Sequence, residues 1–253
     1  MKKITIALLC LVMVAVGGAG VYLVIEKPWE TPAQDDPTTT AGTTAEAESA
    51  PTETIMEKMV DMVQFGGYDW RVLKVTDGKA LLLSENVLEI RIYHDLPMND
   101  LCITWRDCGM RQYLNGAFYD SVFTAEEKAR IIETVVVNNN NEWFGTPGGE
   151  NTVDKIFLLS NVEVARYFGD SGQLGNRPAW GTGWKYEIDD EYNSARIARD
   201  SAGTAASWWL RSPGSASHLA THVGPGGHVF VDGSYVGADK GGMRPALWIN
   251  LVP

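Results

Sequence analysis

The stretch Ser207–Leu251 constrains the fold most, because it cannot form one long element. Trp208, Trp209 and Leu210 open it, and Ala246, Leu247, Trp248, Ile249 and Leu251 close it. Between them, His228–Val231 and Tyr235-Val236 are separated by Pro225-Gly226-Gly227 and Asp232-Gly233. Short apolar runs cut by glycine turns predict a small antiparallel sheet. A second strand signal lies upstream. Asp69–Val75, then Thr76-Asp77-Gly78-Lys79, then Ala80–Ser84 read as a hairpin with Asp-Gly at its tip. Leu81–Leu83 are continuously apolar, which predicts a strand buried on both faces.

Helices fall between these strands. Met110, Tyr113, Leu114, Ala117 and Phe118 recur at helical spacing within Thr104–Phe123. Thr124 and Glu127 form a capping box, which predicts about three helical turns carrying Ala129, Ile131, Ile132 and Val135. Lys155–Leu159 reads as an apolar strand. Ser160 and Glu163 form a second capping box for a helix to Phe168, and Tyr192–Asp200 holds one more short helix. Gly169–Trp184 reads as loop. Helices and strands that segregate this way predict an α+β domain.

The N-terminus points to export. Met1-Lys2-Lys3 precedes an apolar run, Ile4–Ile25, long enough to span a bilayer. The lysines before it and the acidic residues after it place the rest of the chain outside. Two readings stay open: an uncleaved transmembrane helix, favoured by the apolar residues continuing through Val21–Ile25, or a signal peptide cleaved near Gly17–Gly20. The first gives a single-pass membrane protein, the second a secreted one. Residues 26–54 carry one Lys against seven acidic residues among Thr, Ala and Pro. That composition predicts a disordered stalk. The expected organisation is therefore an anchor or signal at 1–25, a stalk at 26–54 and one domain at 55–253. A net charge of −11 argues against a nucleic-acid partner. Three Cys are too few for a disulfide scaffold.

Several motifs carry a resemblance. They are Thr104-Trp105…Cys108…Arg111…Leu114-Asn115, Gly145-Thr146-Pro147-Gly148-Gly149, Asp154–Ser160, Trp208-Trp209-Leu210-Arg211-Ser212-Pro213-Gly214 and Arg244-Pro245-Ala246-Leu247-Trp248-Ile249. Together they resemble an uncharacterised domain family of exported bacterial proteins, over roughly residues 65–251. The family implies no activity. A second likeness, in Trp208–Ser212, Val229–Gly233 and Gly242-Met243-Arg244, is to the C-type-lectin-like fold shared with formylglycine-generating enzymes. It implies small antiparallel sheets, two to four short helices and an extracellular recognition role. The departures matter. The chain has neither Glu-Pro-Asn nor Gln-Pro-Asp nor Trp-Asn-Asp, and no Cys after Cys108. Neither calcium-dependent sugar binding nor formylglycine-generating chemistry is inherited.

The candidate residues are weighed against plainer roles. Trp143, Trp180 and Trp184 sit in Gly-, Asn- and Pro-rich loops and suit a ligand platform, with Asn141 and Tyr235 beside it. Trp208 and Trp209 point to opposite faces of one strand, so at least one is core, and Trp248 reads as core. Arg211 and Arg244 read as structural guanidiniums or, for Arg211, a ligand clamp. His218, His222 and His228 lie within eleven residues and suit Zn²⁺ if the hairpin brings them together. The acidic run Asp189-Asp190-Glu191 suits Ca²⁺ or an acid/base pair, or is solvated surface. Cys102 and Cys108 either form a small-loop disulfide or remain free, and the family resemblance favours a buried thiol at Cys108. No nucleotide loop, zinc-protease helix or Gly-x-Ser-x-Gly elbow is present. The expected function is non-catalytic recognition of an extracellular glycan or protein. The alternatives are a cell-envelope enzyme acting on carbohydrate or peptidoglycan, and a structural interaction domain.

Overall fold

The structure, a computed structural model, describes residues 62–95, 102–177, 186–239 and 241–251. The expected N-terminal helix and stalk lie outside these residues. Among the described residues no helix is long and apolar enough to cross a membrane.

Strands β1 (Met62–Phe65), β2 (Tyr68–Thr76) and β3 (Lys79–Ser84) form an antiparallel meander. The β2–β3 turn places Asp77 at φ 48° and Gly78 at φ 71°, the left-handed pair that a tight hairpin requires. Strand β4 (Glu89–Ile90) follows. The expected helical stretch begins with a tight turn at Trp105–Asp107 and continues as α1 (Gly109–Tyr113), a wide turn at Leu114–Phe118 and α2 (Tyr119–Val122). Of the residues picked out by the spacing, Met110, Leu114 and Phe118 are buried, Tyr113 is half-buried and Ala117 is exposed.

The capping box of Thr124 and Glu127 starts α3 (Ala125–Arg130), but the helix stops there. Ile131–Ile132 becomes β5 and Thr134–Val136 becomes β6. The reason is tertiary. Ile131 and Ile132 pair with Ile249 and Trp248, and β-branched residues pack well on a pleated edge. Next come β7 (Thr152–Asp154), β8 (Ile156–Phe157) and α4 (Asn161–Phe168), whose capping box of Ser160 and Glu163 is complete. The remaining elements are β9 (Glu187–Ile188), α5 (Asn193–Arg196), β10 (Ala198–Arg199), β11 (Ala205–Ala206), β12 (Trp208–Pro213), β13 (Leu219–Val223), β14 (Val229–Tyr235), β15 (Gly242–Met243) and β16 (Ala246–Asn250). The helix expected at Tyr192–Asp200 is therefore one turn, followed by a strand.

Two six-stranded sheets result. The first runs β1-β2-β3-β16, and the far edge of β16 is shared by β5 and β8. The second runs β4-β15-β12-β13-β14-β9. This corrects two expectations. The terminal run is not one antiparallel sheet, because β16 leaves it to pair with β3. Nor are the sheets purely antiparallel, since β15 lies parallel to β12, with Trp208 opposite Gly242. A Cβ at Gly242 would meet Val87 at 2.1 Å, so only glycine admits this approach. The architecture is α+β-like with mixed sheets and few short helices.

Buried tryptophans bind the core together, each with its indole N–H satisfied. Trp70 donates to the Phe65 carbonyl, Trp105 to Asp154, Trp208 to the Arg196 carbonyl and Trp209 to the Arg91 carbonyl. Arg244 is fully buried. Its guanidinium lies 4.8 Å from the Trp208 ring and donates to the carbonyls of Ser84 and Glu85 at 2.9 and 3.1 Å. Burial, the first cause, together with Arg71, lowers its pKa to about 9 against the pull of Glu85. Cys102 and Cys108 are both free thiols, Cys102 exposed and Cys108 buried. Burial pushes the Cys108 thiol up to about 12, so it is an inert core group.

Candidate functional site

Of the residues expected to form a ligand platform, Trp143, Asn141 and Tyr235 are among the described ones. Trp180 and Trp184 lie outside the described residues. Trp143 is half-buried. Its indole donates to the Leu174 carbonyl at 3.1 Å, and the Arg177 guanidinium lies 5.8 Å from its ring. Asn141 is buried and wholly engaged. Its amide donates to Pro213 and Val231 carbonyls, and its oxygen accepts from the Trp143 and Phe144 amides. These two residues brace the loop. Tyr235 is exposed at the end of β14, with the His218 ring 6.5 Å away.

The three histidines do not form one metal-binding group among the described residues. A register irregularity between Ala220 and His222 breaks the alternation that would have put His218 and His222 on one face. His222 is half-buried, stacked on Phe230 at 4.7 Å and 4°, and desolvation of its ring lowers its pKa to about 4. His228 instead meets carboxylates. Its Nδ1 lies 3.5 Å from Glu187 and its Nε2 lies 3.4 Å from Asp189. Asp232, two residues beyond Phe230 on β14, is raised by burial first and then by the charge of Glu187.

A groove of about 380 Å³ opens along β6. Thr134–Val137 and Asn139 line it in near-continuous sequence. A strand face would contribute every second residue, so the groove follows the strand's edge. β6 and β7 form a two-stranded ribbon, which leaves that edge without a strand partner among the described residues. Trp248, Val162 and Tyr167 add apolar surface, and Lys74, Arg166 and Arg211 add positive charge against Glu163. Beyond Trp248 a second trough of about 410 Å³ shares Thr134 and Val135. Trp248 was expected in the core but is half-buried between the two.

Arg211 anchors the groove's inner end. It is buried, ion-paired with Glu163, and donates to the carbonyls of Leu158 and Val137 at 2.7 and 3.1 Å. It thus holds the end of the β6 edge, as the structural reading of this arginine predicted, while also lining the groove. Beside it lies a buried polar group. Glu142 accepts from the Asn161 amide at 2.9 Å. Burial raises the Glu142 pKa, against the pull of Asn161 and Arg211. Arg211 Nε, Glu142 Oε1, Asn161 Oδ1 and Asn138 Oδ1 are buried without a hydrogen-bond partner among the described residues.

The ribbon over the groove is inverted in polarity. Thr152 and Asp154 of β7 point inward, where Asp154 accepts from Trp105, Thr152 and Arg111. Val153, opposite Val135, therefore points out. Val135, Val153 and Val137 are 64%, 58% and 49% exposed. Sequence reasoning missed this patch. Its signal was Thr-Val-Asp, a valine between two polar residues that become buried. A larger cleft of about 450 Å³ lies beside Tyr68, Asp69 and Asp200. Its polar groups are largely spent. Asp200 accepts from the amides of Ala202 and Thr204, Arg199 donates to the Gly203 carbonyl, and Asp69 accepts from Gln64.

Comparisons with known proteins add one finding. No curated protein matches the chain, and no solved structure does. The expected C-type-lectin-like domain of small antiparallel sheets is corrected by the structure itself, whose second sheet is mixed because β15 lies parallel to β12. The family described as a domain of unknown function, DUF6273, matches residues 77–251, which span every element from β3 to β16 and all the motifs noted above. The chain belongs to the DUF6273 family.

Proposed function

We propose that this is an exported recognition domain, tethered through residues 4–25, whose groove binds an extended segment of a partner protein by strand addition. The observation that carries this reading is the edge of β6, without a strand partner among the described residues, lying along the groove beside the exposed Val135 and Val137. An added strand takes affinity from main-chain hydrogen bonds and specificity from alternate side-chain pockets. At about 3.3 Å per residue, a segment paired along Thr134–Val137 would cover roughly 13 Å of that edge. Trp248 and Tyr167 suit an apolar side chain of the partner. Lys74, Arg166 and Arg211 outnumber Glu163, which favours an acidic segment.

The test is selection of displayed random peptides on the chain, with a glycan panel in parallel. The expected result is enrichment of alternating apolar and acidic sequences, with binding lost in Val135→Lys and in Trp248→Ala. Saturable binding to a glycan but to no peptide would replace the ligand class. Peptide binding that survives both substitutions would move the site elsewhere.

A further inference from the structure

We propose that Glu187, Asp189 and His228 form a binding site for a divalent transition-metal cation of the Zn²⁺ class. Each offers one ligand atom, and the three atoms lie within 4.8 Å of one another. Ligand atoms around a tetrahedral Zn²⁺ sit about 3.4 Å apart, given bonds of roughly 2.1 Å. One ion takes only one ring nitrogen of His228: Nδ1 lies 3.5 Å from Glu187 and Nε2 lies 3.4 Å from Asp189, so one of these separations is already near that value and the other carboxylate closes on the ion by turning its side chain. An imidazole with two carboxylates suits Zn²⁺ or Mn²⁺, whereas a calcium site would be built from oxygen alone. Three protein ligands leave a coordination position for water or for an oxygen of a ligand.

The site is braced from behind. β9 places Glu187 opposite Phe230 of β14, and the Glu187 side chain is only 6% exposed. His228 enters from the turn at Gly224–Gly227. A Cβ at Gly227 would stand 1.9 Å from the Asn193 carbonyl oxygen, so the turn is pressed against the start of α5. Asn193 donates to Asp189 at 2.7 Å. Arg196, fully buried, donates to the carbonyls of Gly227 and Gly169 and to Asp190. Arg196 thus fixes Gly227 beside His228 and Asp190 beside Asp189, Asn193 holds Asp189 itself, and the β9–β14 pairing places Glu187, much as outer groups orient metal ligands elsewhere.

The experiment is calorimetric titration of the EDTA-treated full-length chain with Zn²⁺, Mn²⁺ and Ca²⁺ in turn. One Zn²⁺ should bind with a Kd of about 10 μM or tighter. His228→Ala and Glu187→Gln should each weaken it about tenfold or more. His218→Ala should leave it unchanged. Because a variant can misfold, Cu²⁺ bound to the unaltered chain is read by pulsed electron paramagnetic resonance, which should show one imidazole nitrogen coupled to the metal. The proposal is overturned by Zn²⁺ affinity no better than millimolar, by Ca²⁺ binding tighter than Zn²⁺, by affinity unchanged in His228→Ala, or by coupling to no imidazole or to more than one.

Discussion

The seam around Arg196 and Arg244 and the ribbon of β6 and β7 treat polarity in opposite ways. In the seam, fully buried guanidiniums are spent on backbone carbonyls and on one ion pair, between Arg196 and Asp190. Most polar groups buried there find partners that fix the path of the chain, and only Arg196 Nε and Asp190 Oδ2 are left without one among the described residues. In the ribbon, Thr152 and Asp154 are buried while three neighbouring valines face outward. A buried valine contributes about 1.5 kcal/mol or more that these forgo. The seam is built for stability. The ribbon carries apolar surface that stability does not use, and contiguous surface of that kind marks interaction sites.

The comparison is broken most severely at Arg196. Arg196→Ala leaves Asp190 buried and unpaired, so a denaturant melt should show a loss of about 3–5 kcal/mol. A loss under about 1 kcal/mol would mean that the seam is not what holds the sheets.

His222 sharpens the comparison through pH. Its folded pKa, about 4, lies below the ordinary value of 6.5. Its contribution to stability is present above pH 6.5 and is lost as the pH falls towards 4, because the unfolded chain takes up the proton first. The loss should approach about 3 kcal/mol at pH 4. Melts of His222→Phe across that window should lack this component, since the Phe ring can keep the stack on Phe230.

A smaller effect is expected at Glu142. Its pKa is raised, so its contribution is full below the ordinary carboxylate pKa and is lost as pH rises through the folded value. At neutral pH the buried charge is a cost, and Glu142→Gln should raise the midpoint of thermal unfolding there. A lowered midpoint would show that the charge is needed by Arg211. The smallest change in stability belongs to the ribbon. Val135→Thr and Val153→Thr should each stay within about 0.5 kcal/mol of the parent in a denaturant melt. A larger loss would give the patch a structural role.

Much of the frame was legible in the sequence. Asp77-Gly78 fixed a hairpin, two capping boxes fixed helix starts, and the plain reading of Arg211 and Arg244 as structural was met. What failed depended on distant partners. Ile131 and Ile132 look helical beside Ala129, and only the open edge of β16 turns them into a strand. His218 and His222 share a face only if no register shift intervenes. Trp248 looks like core because Leu247 and Ile249 on either side of it are apolar, yet it stands at the edge of a groove whose other wall is β6. Glu187 was passed over for the acidic run after it, since nothing local shows that β9 pairs with β14.

The most direct test of strand addition is amide hydrogen exchange of the chain with and without a peptide selected on it. Slowed exchange confined to Thr134–Val137 and the facing groove residues is the expected result. Exchange unchanged along β6, with protection elsewhere, would contradict the account.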